Sequence, residues 1–151
     1  MDIPSSKQPW QEPDTSHPSS SGHVLRFAEI PAHPRQLHRI RHALSAWAAQ
    51  IGMSGEQILD VALGTDEAMS NVVLHAYPVM PGIFDVHARY QPEDHHVTIT
   101  VTDYGRWRPP AKAMNSDKLH MRGITLLNAV TTQTVITPTS RGTITRMRWA
   151  L

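Results

Sequence analysis

The longest regular pattern of hydrophobic and polar positions in the chain runs from Gly55 to Tyr77. Its recurrence every three or four residues predicts an amphipathic helix. The stripe on one side of this helix consists of Ile58, Val61, Ala62, Thr65, Met69, Val72, Val73 and Ala76. Three leucines occupy the other side, at Leu59, Leu63 and Leu74. A helix that is apolar on most of its circumference is expected to be buried between neighbouring elements.

The remaining pattern predicts five strands and two further helices. Alternation of apolar and polar side chains, bounded by turn residues, predicts strands over 23–30, 82–90, 96–103, 133–137 and 143–149. Helical spacing predicts helices over 35–50 and 122–130. The order β-α-α-β-β-α-β-β predicts a two-layer α/β sandwich, with helices on one face of a mixed, mostly antiparallel sheet.

The central helix also carries a polar row. Glu67, Asn71 and His75 stand four residues apart and therefore follow one another along one face. A buried carboxylate is costly unless a cation, a ligand or bound water satisfies it. The spacing alone leaves two interpretations open, a ligand site and a solvated face.

The same row resembles a known sequence motif. The pattern Glu67-x-x-x-Asn71-x-x-x-His75-Ala76-Tyr77 resembles the N-box of the GHKL (Bergerat-fold) ATP-binding superfamily, and its end resembles the anti-sigma-factor serine kinases within it. Two further boxes follow in the expected order: V-T-D-Y-G over 101–105 and R-G-I-T-L-L over 122–127. Three boxes in sequence are more specific than one, and the similarity extends over about residues 23–149.

The resemblance implies ATP and Mg²⁺ as cofactors and assigns roles to four residues. Asn71 would coordinate Mg²⁺ through its amide oxygen, an atom type that this hard cation prefers. Glu67 would act as the general base on the attacking hydroxyl. Asp103 would accept a hydrogen bond from the adenine amine, and Gly105 would let the backbone pass close to the ring.

The resemblance also implies a phosphate subsite. Gly123, predicted at the start of a helix, would offer backbone N–H groups and the positive end of the helix dipole to the phosphates. Arg122, Lys112 and Lys118 would add positive charge. Thr143, at the start of the last predicted strand, belongs to the nucleotide-binding residues by the same resemblance.

The segment 104–120 contains two prolines and lacks sustained periodicity, which predicts a loop. Its place between the second and third boxes corresponds to the ATP lid of the resembled family. The chain departs from the usual glycine pattern of this region at Trp107 and at Met121. Each departure removes a position where the backbone could approach the nucleotide closely.

The implied function is partner switching in the cytoplasm. The domain would bind a sigma factor, phosphorylate a serine on a small anti-anti-sigma protein of the STAS type, and form a homodimer. Two alternatives stay open. One is a non-enzymatic Bergerat-fold binding module with weak or no ATP binding. The other is a nucleic-acid binder that uses Arg146, Arg148 and Trp149 on the last predicted strand.

Composition narrows these possibilities. Fourteen Lys and Arg against thirteen Asp and Glu leave a net charge of +1, which disfavours nucleic acid or an anionic membrane as the main partner. The absence of cysteine excludes a disulfide framework, thiolate catalysis and Cys-ligated zinc. No apolar run has the length of a membrane span, and the N-terminus lacks a signal-peptide core, so a cytoplasmic location is expected.

The chain is long enough for one domain with a real core, and its start differs in composition from the rest. Residues 1–22 hold four prolines among seven serines and threonines and have little to bury. This composition predicts a disordered tail. The ATP-binding domain is expected over residues 23–151.

Overall fold

The computed structural model describes residues 19–20, 23–106 and 114–151, and for residues 19–20 and 114–121 only the backbone elements. This part of the chain forms six strands and three α-helices, in the order β1 (Ser19–Ser20), β2 (Val24–Pro31), α1 (Pro34–Gln50), α2 (Gly55–Asn71), β3 (Ile83–Gln91), β4 (His96–Asp103), α3 (Met114–Val130), β5 (Gln133–Thr139) and β6 (Gly142–Ala150). A π-helical turn, Val72–Ala76, extends α2. A 3₁₀ turn, Pro92–Asp94, joins β3 to β4.

The strands form one sheet in the order β1-β2-β3-β4-β6-β5. The predicted two-layer α/β sandwich is confirmed. Each pairing between the described strands is antiparallel, so the prediction of a mixed sheet is wrong for this part of the chain. The reason is that β4 and β5, which run in the same direction, are separated by β6 and are not neighbours.

The alternation along β4 sets the two faces of the sheet. Val97, Ile99 and Val101 are buried against the helices, whereas the threonines between them are only half-buried on the opposite side. A strand places successive side chains on opposite faces, so Asp103 at the end of β4 also lies on the helix side. The period of the strand therefore places a carboxylate inside the molecule.

The central helix begins as predicted and ends differently. Ser54 and Gln57 form a complete capping box, with bonds of 3.2 and 2.9 Å between side chains and backbone. The α-helix ends at Asn71, and the π turn replaces the predicted α-helical end. The apolar positions of this turn fit both helix types, so their periodicity could not distinguish them. A π turn closes i→i+5 hydrogen bonds and is often found at functional sites.

The prediction that α2 is buried on all sides is wrong for its leucine side. Leu59 is 58% exposed, Leu74 is 70% exposed, and Leu63 is exposed as well. Helix α2 packs on α1, α3 and the sheet through its apolar stripe. The leucine side of α2 faces outward from the helix layer and is exposed to solvent. Single exposed leucines are common on protein surfaces.

The third helix is longer than predicted. It begins at Met114, so residues 114–120, predicted as part of a loop, are helical. The prolines that suggested a loop stand at 109 and 110, before the helix, and the Met, Lys and Leu residues after them have good helix propensity. The rest of the predicted lid, residues 107–113 with Trp107 and Lys112, lies outside the described residues, and so do the side chains of Lys118 and Met121.

Two residues of the predicted N-terminal tail, Ser19–Ser20, pair with Arg26 and Leu25 of β2. The other residues of that tail lie outside the described part of the chain. Within the described ranges, every helix is too short or too polar to cross a lipid bilayer.

Candidate functional site

A cavity of about 140 Å³ lies between the helix layer and the sheet. Its helical wall is formed by Ala68, Asn71, Val72, Ala76 and Ile124. Its sheet wall is formed by Asp103, Ile136, Pro138, Thr143 and Thr145. Three predicted site residues therefore meet in one cavity: Asn71, Asp103 and Thr143.

Asp103 is the buried acid of this cavity, with 7% of its surface exposed. Its Oδ1 atom accepts hydrogen bonds from the backbone N–H groups of Gly105 at 3.1 Å and Thr143 at 3.3 Å. Burial raises the pKa of the Asp103 carboxyl, and these two backbone donors oppose that effect. Both bonds found for this carboxylate end on Oδ1. Within the described part of the chain, the Oδ2 atom of Asp103 accepts no hydrogen bond.

Gly105 brings the turn after β4 against the end of the central helix. A Cβ atom built on Gly105 would overlap the carbonyl oxygen of Ala76. The next residue, Arg106, donates its backbone N–H to that same oxygen at 3.1 Å. A side chain at position 105 would force these two segments apart. The glycine is thus required by the approach of two protein segments, and its role beside a ligand ring stays a prediction.

The residues of the polar row on the central helix lie in different surroundings. Asn71, the last residue of α2, lines the cavity. Glu67, one turn earlier, is half-buried. Its carboxylate lies against α3, as shown by the overlap of its Oε1 atom with a Cβ built on Gly123. The carboxylate therefore occupies the space that the missing side chain of Gly123 leaves free. His75 lies in the π turn beyond both residues.

Gly123 lies inside α3, nine residues after its first residue, so the prediction that it starts a helix is wrong. Backbone N–H groups in a helix interior are already bonded to the preceding turn and are not free for phosphate. Ile124, the next residue, lines the cavity, while Arg122 is exposed and does not line it. The structure thus brings Asn71, Asp103 and Thr143 to one cavity, and neither Gly123 nor Arg122 lines it.

Sequence reasoning missed the apolar wall of the cavity. Ala68, Val72 and Ala76 follow one another at four-residue spacing and leave room beside Asn71 because they are small. On the sheet side, Ile136 pairs with Thr145 and Pro138 pairs with Thr143 in the strand register. The spacing of small residues and the period of two along β6 were the signals that could have identified these positions.

Two tyrosines brace the end of β4. The Tyr77 hydroxyl accepts a hydrogen bond from the Tyr104 backbone N–H at 2.9 Å and donates one to the Ile83 carbonyl. The Tyr104 hydroxyl donates to Asp85, and this bond, with burial, raises the pKa of Tyr104 to about 12. The bracing fixes the segment that carries the carboxylate at position 103.

The described residues contain no group of three or more His, Cys, Asp or Glu side chains placed to hold a metal ion. The pair His38 and His42, whose ring centroids lie 4.4 Å apart, has no third ligand among them. Asn71 is the predicted metal ligand that lines the cavity. One amide oxygen is a partial coordination shell, which fits Mg²⁺ held mainly by phosphate and water.

Comparisons with known proteins identify a family and several relatives. The family model of the histidine kinase-like ATPase domain matches residues 30–149. Among curated proteins, the chain is 37% identical over 65 residues to the anti-sigma F factor of Pasteuria penetrans, covering 43% of each chain. It is 33% identical over 75 residues to the serine-protein kinase RsbW of Bacillus licheniformis, covering 50% of this chain and 47% of that protein. The chain thus spans less than half the length of these relatives.

Solved structures show the same fold. The structure of the RsbU and RsbW domains of Rv1364c from Mycobacterium tuberculosis superposes with a TM-score of 0.68 at 22% identity, over 85% of this chain and 32% of that one. The histidine kinase domain of the blue-light activated kinase from Erythrobacter litoralis superposes with a TM-score of 0.50 at 22% identity, over 81% of this chain and 62% of that one. At this level of identity the likeness concerns the fold.

Proposed function

Because the chain belongs to the histidine kinase-like ATPase domain family, we propose that its cavity binds the adenine end of ATP and that the protein is an anti-sigma serine kinase. The observation that carries the proposal is the meeting of Asp103 and Asn71, from opposite layers of the sandwich, in one cavity. The two residues are 32 positions apart in the sequence, and the fold brings together an acceptor for a base and an oxygen ligand for a cation.

The adenine subsite is the better defined half of the proposed site. The Oδ2 atom of Asp103 accepts a hydrogen bond from the exocyclic amine, while Oδ1 stays bonded to the backbone at Gly105 and Thr143. A charge-assisted hydrogen bond of this kind contributes about 1.5–3 kcal/mol. The apolar wall, with Val72 and Ile136, covers the faces of the ring and excludes water.

The polar row of α2 supplies the remaining groups. Bound ATP·Mg²⁺ provides the phosphoryl group that is transferred. Asn71 contributes its amide oxygen to the metal, and Glu67 accepts the proton of the attacking serine hydroxyl as general base. Arg122, exposed on α3 two residues before the cavity-lining Ile124, is the proposed source of positive charge for the phosphates. Transfer of this kind depends on positioning and charge neutralisation more than on covalent chemistry.

The partners follow from what the matched proteins are named, an anti-sigma F factor and a serine-protein kinase. We propose that the protein binds a sigma factor and phosphorylates a serine of a STAS-type anti-anti-sigma protein, acting as a homodimer. ATP and Mg²⁺ are the cofactors of this cycle.

A second candidate function is a non-enzymatic binding module of the same fold. It is favoured by one observation: Gly123 lies in a helix interior and Arg122 is exposed, so these two described residues do not form a phosphate subsite at the cavity. A module of this kind would hold nucleotide weakly and act through protein contacts alone.

A phosphotransfer assay separates the two functions. The protein is incubated with radiolabelled ATP, Mg²⁺ and candidate STAS-type substrates, alongside the variants Glu67→Gln and Asn71→Ala. We expect the wild type to label a serine, Glu67→Gln to be at least about a hundredfold slower with nearly unchanged ATP affinity, and Asn71→Ala to lose the Mg²⁺-dependent part of that affinity. The control is Glu56→Gln, an exposed carboxylate in the first turn of the same helix.

If the wild type and Glu67→Gln label the substrate at the same rate, Glu67 is not the general base. If the wild type binds partners but transfers no phosphate to any of them, the protein is a binding module and not a kinase.

A further inference from the structure

The side of the sheet turned away from the helices carries a concentration of positive charge. We call it the basic face. It is formed by Arg26 on β2, His87 and Arg89 on β3, and Arg146 and Arg148 on β6. The two threonines at its centre, Thr98 and Thr100, belong to β4.

The strand register arranges these groups in two parallel rows. One row runs Arg89, Thr98, Arg148, and the row beside it runs His87, Thr100, Arg146. Neighbouring strands are about 5 Å apart and alternate residues of one strand about 7 Å apart, so four cationic or ionisable groups mark a rectangle of roughly 10 by 7 Å. The rows line a depression of about 350 Å³.

Few acids among the described residues balance this charge. The outward positions of β3, β4 and β6 contain one carboxylate, Asp85, which accepts bonds from the Glu29 backbone N–H and the Tyr104 hydroxyl. The strand that contributes Arg26 also carries an exposed acid, Glu29. The ion pair found among the described residues is Arg41–Asp66, in the helix layer, so within residues 23–106 and 122–151 the arginines of the basic face have no ion-pair partner.

The pKa of His87 reflects this environment. Burial lowers it most, and the charges of Arg26 and Arg89 lower it further. The positive potential of the arginines disfavours a further positive charge on His87. The same potential attracts an anionic ligand.

We propose that the basic face is a docking site for an acidic segment of a protein partner. Arginine presents a planar fork that matches a carboxylate in two hydrogen bonds. Carboxylates on successive turns of a helix lie about 5–6 Å apart, close to the spacing of Arg146 and Arg148 along β6. The threonine hydroxyl at the centre of each row can donate to a further carboxylate oxygen.

Two other occupants fit the basic face less well. Trp149, an aromatic that could have stacked on bases, is 4% exposed on the helix side, with its Nε1 bonded to the Val130 carbonyl. Three arginines and one histidine in so small a rectangle also make fewer phosphate contacts than the six to ten typical of duplex binding. A second copy of the chain, docked by a two-fold axis, would set this positive surface against itself.

The inference does not rest on the proposed kinase function. The basic face and the cavity lie on opposite sides of the sheet, because Thr98 and Thr100 alternate with the buried residues of β4. Loss of acidic docking and loss of nucleotide binding are therefore separable outcomes.

The test is fluorescence anisotropy with a labelled, alanine-based helical peptide that carries glutamates at i, i+4 spacing. A peptide with glutamine in their place and a labelled DNA duplex are compared with it. Protein variants are Arg146→Glu/Arg148→Glu on β6 and the single change Arg89→Glu on β3, a second route if the double variant does not fold. The matched control is Arg35→Glu, an exposed arginine of α1.

We expect the glutamate peptide to bind the wild type in a salt-sensitive manner and the glutamine peptide to bind at least about tenfold more weakly. The double variant should lose at least about tenfold in affinity for the glutamate peptide, Arg89→Glu severalfold, and Arg35→Glu almost nothing, while all keep the wild-type affinity for nucleotide. Equal peptide affinity in wild type and both variants, or tighter binding of the duplex than of the peptide, would overturn the proposal. A change of oligomeric state on charge reversal, measured by sedimentation, would also overturn it and assign the face to self-association.

Discussion

The Oδ1 atom of Asp103 accepts a hydrogen bond from the backbone N–H of Thr143, 3.3 Å away, across two strands that are paired residue by residue. Asp103 ends β4, and Thr143 lies at the start of β6 directly opposite it. The bond holds one carboxylate oxygen against the sheet and leaves the other oxygen for a ligand. This relationship gives Oδ1 of the buried acid a structural role, and the proposed binding role belongs to the other oxygen atom.

The contact between Gly123 and Glu67 predicts an effect on chemistry without a loss of folding. In Gly123→Ala, the new methyl group displaces the flexible Glu67 carboxylate, and helix propensity offsets the strain by up to about 1 kcal/mol. Phosphotransfer should fall at least about tenfold, whereas the midpoint of thermal unfolding changes little. Gly55→Ala, a helical glycine with open space beside it, is the control.

The double variant Gly123→Ala/Glu67→Gln makes this test sharper. If the methyl group acts through Glu67, the double variant transfers phosphate at the rate of Glu67→Gln alone, because the two changes affect one group. Rate losses that multiply in the double variant would show that Gly123 acts on something other than Glu67.

The bracing by Tyr77 predicts a loss of stability. Tyr77→Phe removes the acceptor for the Tyr104 N–H and the donor to the Ile83 carbonyl. The unfolding free energy, measured in urea, should fall by about 1 kcal/mol, the low end of the usual range, since Tyr104 is 50% exposed and water can replace part of the bonding. Tyr90→Phe, at a tyrosine packed on His23, should change it by less than about 0.5 kcal/mol. Equal losses in the two variants would refute the bracing role.

His87 predicts a dependence of stability on pH. Its pKa is lowered by burial first and by Arg26 and Arg89 second, so the unfolded chain binds a proton more readily than the folded one. The contribution of His87 to stability is therefore present above the unfolded pKa, about 6.5, and is lost as pH falls through that value toward the folded pKa. NMR titration should give a pKa below 6.5 that rises in Arg89→Gln. An unchanged pKa in Arg89→Gln would show that Arg89 does not contribute to the lowered pKa of His87.

The sequence predicted the order of the strands and helices after residue 22, because each has a clear period and a turn or cap at its ends. It could not locate the π turn, since Val72, Val73 and Ala76 are apolar at positions compatible with either helix type. It also could not place the start of α3: the prolines at 109 and 110 indicated a loop, and the helix propensity of the residues after them was underestimated.

The residues of the candidate site that belong to a sequence motif could be predicted. The residues that reach the cavity only because of the fold could not. Asn71, Asp103 and Thr143 line one cavity, and their roles in nucleotide binding stay predictions. The apolar wall depends on which strands become neighbours, and that Ile136 faces Thr145 follows from the register of β5 on β6. A register is a long-range property that local periodicity does not contain.

The measurement that tests the central claim most directly is a calorimetric titration of the wild type and Asp103→Asn with ATP·Mg²⁺. Asparagine keeps an oxygen to accept the Gly105 and Thr143 bonds and presents an amide N–H₂ donor where the free carboxylate oxygen stood. The account predicts wild-type binding that weakens about ten- to a hundredfold in Asp103→Asn, with an unfolding midpoint close to that of the wild type. Equal ATP affinity in the two proteins, or no binding by the wild type at millimolar nucleotide, would contradict it.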